Sequence, residues 1–212
     1  MSITLGVYDL FAYMIPGILY LYIANEFMIL FGFAHIEFQN LNNIVVTLLV
    51  VIIGYLLGQI FDLGANKWRR WRQPKESILE AIENLKKNFP KSKINFLHQD
   101  NRFLLSLIRR NHPEVATTID RNKAISIMLQ NISFGMLFYT LLQLISFILN
   151  GYSIENLLLA FFALIIALLA KRKSQFYNQW FYNHIYETAL TYGSDTGKII
   201  RKVQAMKSEK DD

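Results

Sequence analysis

The stretch IVVTLLVVIIGYLLGQIFDLGANKWRRWR, residues 44–72, decides how this chain is read. Its first 20 residues hold one charge, Asp62, while its last six hold four cations and two tryptophans. A helix that crosses the hydrocarbon core needs about 20 mostly apolar residues at roughly 1.5 Å of rise each. Ile44–Leu63 meets that need. Lys and Arg concentrate on the cytoplasmic side of spans, and Trp settles at the headgroup level. The segment therefore reads as a span that leaves the bilayer at Trp68-Arg69-Arg70-Trp71-Arg72, on the cytoplasmic side.

The rest of the chain follows the same pattern. All 22 Lys and Arg residues fall within 67–123 and 171–210. Residues 64–124 carry 14 basic and 6 acidic side chains; residues 171–212 carry 8 and 5. The remainder holds five acids, Asp9, Glu26, Glu37, Asp62 and Glu155, and no base. A soluble protein scatters its cations and has roughly 25% charged residues; here 18% are charged, 53% are hydrophobic and mean hydropathy is +0.24. Further spans are expected at Leu10–Phe33, interrupted by Pro16-Gly17, at Ala124–Leu149 and at about Tyr152–Ala170. The loops Ala34–Asn43 and Asn150–Asn156 are short and free of Lys and Arg. The fourth span ends at Lys171-Arg172-Lys173. The expectation is an all-α, four-span protein of a bacterial inner membrane, with both termini cytoplasmic. Met1–Gly6 lacks the basic n-region of a cleavable signal, so the first apolar stretch is expected to be retained.

The expected divisions are an N-terminal aromatic segment (1–15), a first transmembrane hairpin (16–63), a basic cytoplasmic helical insert (64–123), a second hairpin (124–170) and a cytoplasmic helical tail (171–212). Within the insert, Ser77–Phe89 and Asn101–Arg110 show helical periodicity. Pro113–Asp120 should start the helix of the third span. Lys171–Tyr192 should continue the fourth, with a short helix at Lys198–Met206. About 60 residues make little core alone, so the insert helices should pack on each other and on neighbouring subunits.

With no cysteine, the chain has neither disulfides nor thiolate chemistry. It shows no phosphate loop, HExxH or G-x-S-x-G, and Asp62, His112 and His184 are too scattered for a lipid-modifying enzyme. The expectation is a protein that is not an enzyme and uses no cofactor or metal.

Three features could carry function. In VYDLFAYMIPGILYLY, Tyr8, Phe11 and Tyr13 precede Pro16-Gly17. They read either as an interfacial aromatic belt or as a short hinged helix that plugs a pore, since proline favours a kink and apolar rings close pores by excluding water. Asn25 and Glu26 sit in the outer half of the first span, and Glu26 should face a neighbouring helix, a lumen or headgroups. Asp62 is close enough in sequence to Lys67 and Arg69 for a boundary salt bridge. The third feature is the basic face: Arg69, Arg70, Arg72, Arg109, Arg110, Lys171, Arg172, Lys198, Arg201 and Lys202. Cations beside aromatic rings anchor to anionic lipid, or bind a nucleotide or single-stranded oligonucleotide.

The N-terminal YDLFAYMIPG, the four spans, the WRRWR block and the basic helical insert together resemble the small multi-span effectors of bacterial antiphage defence operons. The layout is similar to that of Hailong-type channel subunits and, with a different membrane-sensing role, to the four-span subunits of Kiwa systems. The first resemblance implies a tetrameric ion channel plugged by its aromatic N-terminal segment. Single-stranded oligodeoxyadenylate made by a partner nucleotidyltransferase would hold it shut, and loss of that ligand would depolarise the cell in abortive infection. Read from the residues alone, the ligand is a single-stranded oligonucleotide or a cyclic nucleotide. The rival is a non-conducting membrane scaffold that recruits a cytoplasmic partner.

Overall fold

The computed structural model describes residues 3–33, 44–71, 77–88, 101–150 and 152–191. They form six helices: α1 (Ile3–Leu30), α2 (Ile44–Arg70), α3 (Ser77–Asn88), α4 (Asn101–Asn111), α5 (Pro113–Leu149) and α6 (Ile154–Thr191). The described residues contain no strand. Four of the helices, α1, α2, α5 and α6, are long and apolar enough to cross a membrane. The insert helices and the continuation of α5 and α6 beyond their apolar halves match the periodicity of the sequence. Arg72, Lys198, Arg201, Lys202 and the short helix expected at 198–206 lie outside the described residues.

One expectation fails. Pro16-Gly17 does not divide the first apolar stretch: α1 runs unbroken through both residues. Proline inside a helix removes the bond to the carbonyl four residues back, at about 3 kcal/mol or more in water, yet membrane helices tolerate it. The reason for the pair is packing. A methyl group built on Gly17 would overlap the backbone carbonyl of Gly54, and one on Gly58 would overlap that of Tyr13. Gly54 and Gly58 are four residues apart on one face of α2, and small residues at this spacing let membrane helices approach closely. Tyr13 opposes Gly58 and Gly17 opposes Gly54, so α1 and α2 run antiparallel. Ala12 and Pro16 complete the buried face of α1. The helix ends in a Schellman turn. Gly32, at φ 69°, donates to Ile29 O at 3.1 Å, and Phe33 donates to Met28 O at 2.9 Å.

The chain divides into two compact units, residues 1–73 with 123–177 and residues 74–122 with 178–212. In the first unit, α5 and α6 form an antiparallel pair with a seam of small side chains. Ser126 donates to Ser174 O at 2.9 Å, Ser174 to Ser126 O at 2.8 Å, and Ser133 to Ala167 O at 2.6 Å. Ser126, Ser133 and Thr140 recur every seven residues, as do Ala160, Ala167 and Ser174, and all six are buried. A seven-residue repeat keeps the seam facing its partner along both helices. The second unit has its own apolar core, which joins Ile82 and Leu85 of α3, Leu104 and Ile108 of α4, Ile119 of α5 and Ile185 and Tyr186 of α6. The insert thus finds its core within the same chain. Arg109 closes onto Asp120 at 2.7 Å in this unit.

The glycine contacts set an order of sensitivity. Ala at Gly17 or Gly58 meets rigid backbone, whereas Ala at Gly54 meets the Ile18 side chain and amide. Gly17→Ala and Gly58→Ala should each lose about 1–3 kcal/mol, the range for overpacking. Gly54→Ala should lose less. Denaturant titration in detergent micelles checks the order; equal losses at all three sites would contradict the packing described.

Candidate functional site

One polar cluster of the first unit lies at the basic end of its apolar helices. Asp62, near the end of α2, turns inward and accepts from Gln130 Nε2 and Asn131 Nδ2, each at 3.1 Å. Arg69, two turns further on, is 7% exposed and donates its Nε to Gln130 Oε1 at 2.8 Å. Its Nη2 reaches Asn66 at 3.0 Å. One amide therefore stands between a carboxylate and a guanidinium, accepting from the cation and donating to the anion. Where a direct Asp62 ion pair to Lys67 or Arg69 was expected, the described link runs through Gln130. The reason is spacing: Gln130 lies across from α2 on the buried face of α5. Tyr20 OH adds a bond to Asn131 O at 2.8 Å, tying α1 to the same place.

Residues 68–71 are folded against α5 and α6. Trp68 Nε1 donates to Ser133 Oγ at 2.8 Å. Lys171 Nζ lies 3.9 Å from the Trp68 ring centre and 5.2 Å from that of Trp71, and it donates to Trp71 O at 2.9 Å. Gln175 donates to Arg69 O at 3.0 Å. The last carbonyls of a helix lack partners in the helix itself, and a cation there also favours the helix dipole. Two side chains of α6 thus cap α2, while the two indoles, 5.1 Å apart, hold the lysine by cation–π attraction of roughly 0.5–2 kcal/mol.

These contacts redistribute the expected ligand-binding cations. Arg69 is buried, Lys171 is held by the tryptophans, and Arg109 is paired with Asp120 in the second unit. Arg70, Arg110 and Arg172 are exposed. Arg70 and Arg172 belong to the first unit and Arg110 to the second. The residues expected to form an aromatic gate also separate. Phe11 is exposed and Tyr8 half-buried, whereas Tyr13 packs edge-on against Tyr55 of α2 at 6.1 Å. Asn25 is buried. Glu26 is half-buried one turn from Tyr22 on the same helix, and the Tyr22 ring lies 6.2 Å from that of Tyr139 of α5. Among the described residues no group of three His, Asp or Glu side chains is placed to hold a metal ion.

Sequence reasoning missed the roles of Gly54 and Gly58, of the serine seam and of Gln130 as a bridge. The G-x-x-x-G spacing in GYLLG and the seven-residue recurrence of Ser126 and Ser133 were legible signals for the first two. Comparison with family models, with curated proteins and with solved structures gives no match.

Removing the bridge should cost each charge one hydrogen bond, leaving Asn131 on Asp62 and Asn66 on Arg69. Gln130→Ala should destabilise the first unit by about 1–3 kcal/mol, the range for a buried polar group that loses a hydrogen-bond partner. The double change Asp62→Leu with Arg69→Met should be milder than Asp62→Ala alone, because a charge pair removed together leaves no orphan. A double-mutant cycle of micellar unfolding measures this; additive losses would mean the three side chains act independently.

Proposed function

We propose that this chain is the subunit of a homo-oligomeric channel in the bacterial inner membrane, with both termini in the cytoplasm. The observation that carries the reading is the outward face of α1. Val7, Phe11, Ile15, Tyr22 and Ile29 are all exposed at helical spacing, and half-buried Glu26 borders the same face. In a ring of subunits this face would line the lumen. Glu26 would attract cations at one end, and Phe11 with Ile15 would form an apolar constriction that gates by excluding water. The gate is then part of a rigid helix clamped to α2 at Gly17, and opening moves helices rather than swinging a hinged plug.

The exposed cations Arg70 and Arg172, beside exposed Trp71, support binding of an anionic ligand, either lipid headgroup or nucleotide phosphate. A ligand that binds the closed state better than the open one would hold the pore shut. The defence role, the nucleotidyltransferase partner and the tetramer rest on the resemblance set out above. The rival, a non-conducting scaffold, draws its support from the self-contained core of the second unit, which offers a docking module independent of any pore.

Purified protein in liposomes tests the channel. Phe11→Ala with Ile15→Ala should raise ion flux severalfold, and Glu26→Gln should reduce the preference for cations over anions. Flux that stays at the protein-free level for wild type and variants alike would favour the scaffold. Any nucleotide effect should weaken steeply as salt rises, because phosphate contacts release counterions.

A further inference from the structure

Asn25, Gln130, Asn131 and Gln143 are buried side-chain amides within the apolar helices; Gln59 of α2 is exposed. It lies eight residues before Lys67, about 12 Å along the axis, and 15 residues after Ile44, well inside the span. Its Nε2 donates to the OH of half-buried Tyr55 at 2.7 Å; among the described residues its carbonyl oxygen has no partner. Acyl chains cannot hydrogen-bond. The exposed stretch of α6 from Leu157 to Leu169 contains only apolar residues, so lipid satisfies that helix fully. It does not satisfy α2.

The pattern around Gln59 names what does. Val45, Ile52 and Gln59 recur every seven residues, with Leu48 and Tyr55 three residues after the first two. Val45, Leu48 and Ile52 are more than half exposed. β-Branched residues at one core position and leucine at the other favour parallel pairs of helices, and one amide among them fixes the register. Two copies inserted in the same orientation carry Gln59 at the same depth. An amide both donates and accepts, so it complements itself across a two-fold axis.

We infer that α2 pairs with α2 of a second copy of this chain about a two-fold axis along the membrane normal, with the Gln59 amides bonded to each other at its centre. Gly54 and Gly58 hold a different face of α2 against α1, and Tyr55 at the edge meets Tyr13, which leaves Val45, Leu48, Ile52 and Gln59 for the partner. A four-copy assembly would hold two such seams. The inference rests on the membrane reading and on the homo-oligomer proposed above, and it supplies the contact from which that oligomer is built.

The chain has no cysteine, so single cysteines report without background. Ile52→Cys, Leu56→Cys and Leu63→Cys should form disulfide-linked dimers on mild oxidation in native membranes. Phe162→Cys and Leu169→Cys on α6 should not. Adding Gln59→Leu to Leu56→Cys should lower association roughly 3- to 30-fold, the worth of an interhelical hydrogen bond in a membrane. Because residue 59 is exposed, this change should leave the unfolding midpoint of the micellar monomer unmoved. Equal cross-linking on α2 and α6, cross-linking on α6 alone, or no effect of Gln59→Leu overturns the seam. Ion flux measured on the same samples separates the two proposals: cross-linked dimers that do not conduct keep the seam and defeat the channel, while flux without cross-links does the reverse.

Discussion

The first unit is organised around a charge drawn into a place where charge is costly. Arg69 lies at the end of a long apolar helix, where an exposed cation could simply enter the headgroups. Instead it is buried, and its guanidinium is balanced against Asp62 through the amide of Gln130. An unpaired buried charge is penalised far more heavily than a completed network is rewarded. The bridge therefore fixes geometry rather than adding much stability. It determines which face of α2 looks inward, places Trp68 against Ser133, and brings Lys171 and Gln175 to the last carbonyls of α2. The close passage of α1 over Gly54 and Gly58 is the steric counterpart on the same inward face. Electrostatics and backbone contact thus choose one rotation of α2, and that rotation exposes Gln59.

How much of this could be read from residues depends on the range of the interaction. Span positions, insert helices and the extension of the last two spans follow from local periodicity and charge, and all are present. Pro16-Gly17 carried a strong local break signal that failed, because the reason for the glycine lies on another helix. The basic face was read from composition as a lipid anchor or a ligand surface, but cations serve folding as readily as binding. Arg69, Lys171 and Arg109 each found a partner 11 or more residues away in sequence, and no one-dimensional pattern ranks such partners against a nucleotide. Tyr22 shows the same limit, since its ring contact with Tyr139 depends on how α1 meets α5.

The two units divide the labour of stability differently. The second has an apolar core of aliphatic and aromatic side chains, of the kind in which removal of apolar surface from water drives association. The first cannot rely on that force if lipid surrounds it. Its helices are joined by small side chains, backbone contact and hydrogen bonds from serine, tryptophan and amides.

The serine and alanine seam between α5 and α6 has a consequence for how such a chain can change over time. Each bonded pair is matched to the next by seven residues on both helices, so a lone insertion or deletion on either one would throw every later pair out of phase. Only compensated changes, one heptad added to both rods together, would keep the zipper closed. Length variation in descendants of this sequence should therefore accumulate in the connecting segments and tails, while these two helices stay locked to a common measure.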